Sequence, residues 1–213
     1  RRRDVAEGES PAMNNVYIVG VGMIRFAKYA DRTVRSMAEE AIRLVLDDAG
    51  LTAQDMQAVF FSNTFWGMFS NQHSIRGQVV LRGMKIDRIP VTNVENACAG
   101  GSTALHLAYA GIRAGMYDVA LALGSEKISH PDKNVSLGAY ASCMDVENFL
   151  QHINMIMEVS KTFKVKIPEE QTAPGEGRSI FMDAYAAAAR WHMDRFGSTQ
   201  HHLAVVCSKN HWH

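Results

Sequence analysis

Cys98 is the residue whose setting most clearly points to chemistry. It lies in Pro90-Val-Thr-Asn-Val-Glu-Asn-Ala-Cys-Ala-Gly-Gly-Ser-Thr-Ala-Leu105, a run that changes character at the cysteine. Pro90 to Val94 is apolar and β-branched, with proline tolerated at its start, and predicts a short buried strand. Ala104 to Ala114 is apolar almost all round the helical wheel and predicts a fully buried helix. A thiol at the first turn of such a helix faces unpaired backbone N–H groups and the positive end of the helix dipole, and both favour thiolate over thiol. Gly100 and Gly101 carry no side chain that would block a substrate from the sulfur. Most free cysteines are inert packing. The strand, turn and helix around this one, not the thiol itself, mark it as a nucleophile.

Other polar residues take lesser places. Asn93, Asn96 and Glu126 flank the carboxyl edge of the predicted sheet, where a polar group can orient a substrate or stabilise the turn. Among nine histidines, the pairs His201-His202 and His211/His213 lack the two-on-one-face spacing of a zinc helix and have no acidic or cysteine partner close by. No metal site is predicted, and these are read as solvated surface residues. His73 and His106 are read as structural, Cys143 as a loop residue and Cys207 as a buried helix thiol. In the segment Cys143 to Met157, the residues Met144, Phe149, Leu150, Ile153, Met155, Ile156 and Met157 either line an apolar ligand pocket, to which thioethers adapt well, or form only a small local core.

The elements that must position Cys98 follow from patterning. Val16 to Val21 predicts a first strand, closed by Gly20 and Gly22. Thr33 to Gly50 predicts an amphipathic helix with Ser36 and Glu39 as its capping box and Gly50 as its stop. Ala58 to Ser62 is a second strand. The run Asn63 to Gln72 that follows is too aromatic for a passive linker. His73 to Met84 is a helix, and Asp118 to Leu123 a fourth strand after Pro90 to Val94. Continuous apolar strands alternating with helices imply an α/β fold with a parallel sheet covered on both faces. Right-handed crossovers place Cys98 at the carboxyl end of its strand, where open α/β sheets bind ligands. Ile128 to Arg178 breaks the pattern with Pro131, Pro168 and Pro174, and a connection of that length is usually functional. Ser179 to Phe196 then predicts a helix ended by Gly197, and Thr199 caps a last helix carrying Leu203, Val206 and Cys207.

Composition limits the classes of function. With 213 residues and 47% apolar content the chain can bury a sizeable core. Twenty-two basic residues balance 22 acidic ones, which argues against nucleic-acid or membrane-surface binding. No apolar run is long enough to span a bilayer. Three cysteines without paired spacing fit a reducing compartment, the cytoplasm or another such as the peroxisome. Residues 1–13, polar and patternless, are expected to be a leader or cloning remnant.

The run Asn96-x-Cys98-x-x-Gly101-Ser102-Thr103-Ala104-Leu105 resembles the thiolase superfamily, and within it the SCP2-type thiolases. Leu121-Ala-Leu-Gly-Ser-Glu-Lys127, His192-Met-x-x-Phe-Gly197 and Lys209-Asn-His-Trp-His213 extend the likeness in order along the chain. The resemblance implies a thiolase-like mixed sheet covered by helices. Residues 14–127 would be the N-terminal core, 128–178 an inserted lobe over the active site, and 179–213 helices returning to the core before a second half. It implies an acyl-CoA thiolase or acyltransferase, on a bulky or branched acyl chain, with Cys98 forming the acyl-enzyme thioester. Asn96, Gly100, Gly101, Glu126, Met144, Met155 and His211 would contact the substrate. Gly100 departs from the small hydroxyl residue common at its position, and the family's Gly-His-Pro and Cys-x-Gly motifs do not occur here. Coenzyme A thioester enters as substrate, with no further cofactor. The expected partners are a second copy, as a homodimer or dimer of dimers, and, for a carbon–carbon lyase relative, an OB-fold subunit. A third alternative is a non-catalytic acyl-CoA or lipid-binding subunit.

Overall fold

The computed structural model describes residues 15–162 and 179–212. The leader expected at 1–13, residues 163–178 of the predicted lobe, and His213 lie outside these. The described residues fall into two compact units, the first ending at Ser129 and the second starting at His130.

The first unit is built on three parallel strands, β1 (Ala58–Ser62), β2 (Val91–Val94) and β3 (Ala120–Gly124), in the order β2-β1-β3. Val59 pairs with Val91 and Leu121, and Ser62 with Val94 and Gly124, so the three strands end level. β1 is buried at every position, as a central strand covered on both faces must be. Its side chains alternate. Val59 and Phe61 enter a core with Leu121, Leu123 and residues of α1 (Val34–Ala49) and α3 (Arg76–Gly83), including Ile42 and Val80. Ala58 and Phe60 point to the opposite face, where they meet Ala104 and Ala108 of α4 (Gly100–Arg113). The sheet is thus covered by α1 and α3 on one side and α4 on the other. Between β1 and α3 lies the short α2 (Trp66–Ser70), which accounts for the aromatic run: Phe65 and Trp66 are buried, and Phe65 meets Phe69 edge to face at 6.5 Å.

Four expectations are corrected. Residues 16–21 form no strand among the described residues; this run instead packs on α1. A Cβ at Gly20 would lie 2.7 Å from that of Ala49, and one at Gly22 would lie 2.5 Å from the backbone of Val45, so glycine permits the approach. The Val21 N–H donates to Asp48 at 2.8 Å. No ladder forms because no described strand borders the run, and β3 has no described neighbour beyond β1. An apolar cavity of about 720 Å³ opens there, walled by Val16, Ile18, Leu105, Tyr109, Ala120 and Ala122 among others.

Second, α4 is not buried all round. Its small residues Gly100, Ala104, Ala108 and Gly111 form the buried stripe, while Leu105 and Tyr109 are about half exposed at 51% and 48%. Small residues three or four apart let the helix approach the sheet closely and turn the large ones outward. Third, the capping box of α1 is Thr33 with Ser36, whose side chains exchange hydrogen bonds with each other's backbone N–H. Glu39 pairs instead with Arg35 and Arg43 one turn away on either side.

The second unit holds α5 (Lys133–Ala141), α6 (Phe149–Thr162), α7 (Ile180–Phe196) and α8 (Gln200–Trp212). α6 packs on α7, and Gly197 closes α7 in the left-handed conformation, φ 69°. The fourth correction concerns Cys207: α8 buries none of its residues, and the thiol is exposed. Leu203, Val205 and Val206 fall on different sides of α8 and leave it without one apolar stripe.

Candidate active site

Because the three parallel strands end level, the residues that follow them meet. These are Asn63 to Phe65 after β1, Glu95 to Cys98 after β2, and Ser125 and Glu126 after β3. The ladder runs one residue further on both sides of β1: the Asn63 N–H donates to Val94 O at 3.3 Å, and Ser125 N–H to Ser62 O at 3.2 Å.

Asn63, 2% exposed, binds this edge together. Its amide nitrogen donates to Ser125 O at 2.8 Å and to Glu126 Oε1 at 3.0 Å. Its amide oxygen accepts from the Trp66 N–H at 3.1 Å and from Arg76 of α3 at 3.0 Å. Glu126 also accepts from the Thr64 N–H at 2.7 Å and the Phe65 N–H at 3.1 Å. Glu126 as a residue reaches solvent, yet its carboxylate is shielded beneath this turn. That loss of water raises its pKa above the usual glutamate value, outweighing the hydrogen bonds from Thr64, Phe65, Lys127 and Asn63 that act the other way.

Cys98 is exposed, in a single 3₁₀ turn (Ala97–Ala99) that leads into α4. No side chain caps the first turn of α4, which leaves that end open to a ligand. Ala97, next to Cys98, has φ 42°, a left-handed conformation that a residue with a Cβ adopts at a cost. The Glu95 carboxylate accepts the Ala97 N–H at 2.6 Å and the Thr64 hydroxyl at 3.3 Å. Asn96 donates to the Thr103 hydroxyl at 2.9 Å, which in turn donates to Ala99 O at 2.9 Å. Asn96 therefore braces the turn from the α4 side.

Gly100 is buried, and a Cβ there would collide with the Ser62 hydroxyl at the end of β1, whereas one at Gly101 would meet nothing within 4 Å. The glycine pair thus splits into one that seats the helix on the sheet and one that leaves space open.

The structure brings Cys98, Asn96, Gly100, Gly101 and Glu126 to one edge. Asn93 instead holds α3 to β2, accepting the Gly77 N–H at 2.6 Å and donating to Gln78 at 2.8 Å. Met144, Met155 and His211 belong to the second unit. There Met144 is half-buried, Met155 is exposed, and His211 Nδ1 lies 2.8 Å from Cys207 O within its own helix. His73 and His106 are exposed. Among the described residues no group of three or more His, Cys, Asp or Glu could hold a metal, and no helix is long and apolar enough to cross a membrane. Ser62, Asn63, Thr64, Arg76 and Glu95 were not singled out by sequence. Their signal was position: all but Arg76, which opens α3, lie at a strand's carboxyl end or on the turn beside it.

The fold agrees with what comparison finds. The profile of the family described as "Thiolase, N-terminal domain" matches residues 16–201, and the chain belongs to the thiolase family. Sterol carrier protein 2 of Bos taurus is 30% identical over 96% of this chain and 34% of that protein. Non-specific lipid-transfer protein-like 2 of Caenorhabditis elegans is 32% identical over 96% of this chain and 45% of its own length. Acetyl-CoA acetyltransferase of Methanothermobacter thermautotrophicus is 28% identical over 93% and 45%. These similarities are consistent with an SCP2-type thiolase, and the chain spans less than half the length of each of these relatives. Among solved structures, 3-oxoacyl-[acyl-carrier-protein] synthase III from Aquifex aeolicus superposes with TM-score 0.44 at 20% identity, over 51% of this chain and 34% of that one.

Proposed function

We propose that this protein is a thiolase-type acyltransferase in which Cys98 carries the acyl group. The Cys98 thiolate attacks the carbonyl carbon of an acyl-CoA; a new C–S bond forms, the bond to the coenzyme's sulfur breaks, and coenzyme A leaves and takes up a proton. The acyl group then passes to the α-carbon of a second acyl-CoA, which gives up an α-proton as the C–C bond forms, or to the sulfur of coenzyme A, which gives up its thiol proton; in either case the acyl–Cys98 C–S bond breaks and the thiolate is released. Support comes from an exposed thiol at the carboxyl edge of a parallel sheet, ahead of a helix with no side-chain cap. The sterol-carrier and lipid-transfer names of two relatives favour a bulky or lipid-like acyl chain, and the acetyl-CoA acetyltransferase name of a third favours a coenzyme A thioester as substrate; no other cofactor is proposed. Assembly as a homodimer or dimer of dimers belongs to the same reading, and so does a reducing compartment, cytoplasmic or peroxisomal.

The test is intact-mass analysis after incubation with an acyl-CoA. The expected result is a mass increase equal to one acyl group, absent in Cys98→Ser and removed by hydroxylamine. Acyl-CoA binding without any covalent increase supports the second reading, a non-catalytic lipid-binding subunit. The sterol-carrier and lipid-transfer names of two relatives favour that alternative. An OB-fold partner, as a carbon–carbon lyase relative would have, is the third; co-purification of such a subunit with a Cys98→Ser chain still active would favour it.

A further inference from the structure

The acyl-transfer reading leaves open what holds a strained turn beneath an exposed nucleophile. Ala97 takes a left-handed φ of 42° one residue before Cys98, and unlike glycine it resists that conformation. Such a residue persists only where its surroundings over-determine it. One polar side chain reaches its N–H, that of Glu95, at 2.6 Å. The same carboxylate oxygen accepts the Thr64 hydroxyl at 3.3 Å. Thr64 is not loose, since its N–H is gripped by Glu126 at 2.7 Å, and Glu126 is tied through Asn63 to Arg76 on α3. The turn that carries the thiol is thereby linked to the ends of β1 and β3 through the Glu95 carboxylate, and the Thr64 hydroxyl adds a longer contact of its own to Ala97 O at 3.5 Å.

We propose that Glu95 is a positioning residue for Cys98, holding Ala97 in its left-handed conformation so that the thiol sits at the open first turn of α4. This rests on the reading of Cys98 as the acyl carrier, but the arrangement itself can be tested without any acyl donor. A carboxylate close to the turn contributes both a hydrogen-bond acceptor and a negative charge. The acceptor fixes the turn, and the charge is a separate influence on whatever approaches it. Glu95→Gln keeps an oxygen to accept the Ala97 N–H and removes the charge; Glu95→Ala removes both. The ratio between the two variants therefore isolates geometry from charge, which a merely structural role would not separate.

The experiment measures iodoacetamide labelling of Cys98 by peptide mapping in the intact chain, with exposed Cys207 as an internal reference. Relative to Cys207, Cys98 in Glu95→Gln is expected to label at least as fast as in the unaltered chain. Cys98 in Glu95→Ala is expected to label at least threefold more slowly than in Glu95→Gln. Thr64→Val, which keeps the carboxylate but removes its second partner and the hydroxyl's contact with Ala97 O, should label more slowly than the unaltered chain and faster than Glu95→Ala; if Glu95→Ala fails to fold, the comparison with the unaltered chain decides the matter. Equal Cys98-to-Cys207 ratios in the Gln and Ala variants, or in Thr64→Val and the unaltered chain, would overturn the proposal. Failure of acylation with these labelling ratios intact would instead remove the acyl-carrier reading and leave the positioning role standing.

Discussion

At the scale of the residue, two thiols are open to reagent and differ in what surrounds them. Cys98 precedes the first turn of α4, while Cys207 lies in the second half of α8, toward the end where carbonyl dipoles accumulate. Cys98 is therefore expected to be alkylated first under limiting iodoacetamide, with Cys143, half-buried, last. Peptide mapping in which Cys207 leads would refute the order. Glu126 offers a pH test. A carboxyl with a raised pKa holds its proton more tightly folded than unfolded, so folding binds extra protons between the ordinary glutamate value and the raised one. Across that window stability should fall as pH rises, and the full penalty should persist above it. Urea midpoints measured from pH 4 to pH 8 should show the fall in the unaltered chain and lose it in Glu126→Gln.

Gly100 gives the sharpest steric case. Gly100→Ala puts a methyl group against the Ser62 hydroxyl and should destabilise by about 1–3 kcal/mol, the range for overpacking. Gly101→Ala, with open space, should cost little or nothing. Adding Ser62→Ala to Gly100→Ala removes the colliding oxygen and leaves Ser62 Cβ at 3.5 Å, so the double variant should recover most of the loss. Thermal melts of the four proteins check the set.

At the scale of elements, what could be read from sequence depended on how local its cause was. The helix of α1, the strands β1 to β3 and the stops at Gly50 and Gly197 follow from periodicity and caps within a few residues, and they appear with ends shifted by at most two positions, although β2, expected to be buried, buries only Val94. The 16–21 run has the composition of a strand, but a strand exists only as part of a ladder, and composition does not reveal its neighbour. α4 misled for a related reason. An all-apolar wheel says nothing about which side packs, whereas the stripe Gly100, Ala104, Ala108, Gly111 does. At the site, the place of Cys98 in the turn between β2 and α4 was legible from the residues around it. The Glu95, Thr64 and Asn63 connections were not, because they arise from a strand order, β2-β1-β3, that differs from chain order. The core carries its own prediction: Phe61→Ala, at a fully buried position on the central strand, should cost about 3–5 kcal/mol. Chemical denaturation would show it as a lower midpoint at unchanged slope.

At the scale of the whole molecule, the apolar cavity beside β3 makes the sheet lopsided. β1 is flanked by a strand on each side, but the far edge of β3 faces that cavity and no described strand. Apolar side chains line the opening, and Tyr17, Ile18, Val19 and Val21 are all more than 60% exposed. The consequence is a gradient of local opening. Amide hydrogens of β1 should exchange with solvent only through global unfolding, whereas those pointing outward from β3 and those of residues 16–22 should exchange through small fluctuations, orders of magnitude faster. A polypeptide segment or ligand that settled in the cavity would flatten that gradient and slow β3 without altering β1. Hydrogen–deuterium exchange read by peptide across 56–63 and 118–125 reports both rates in one experiment.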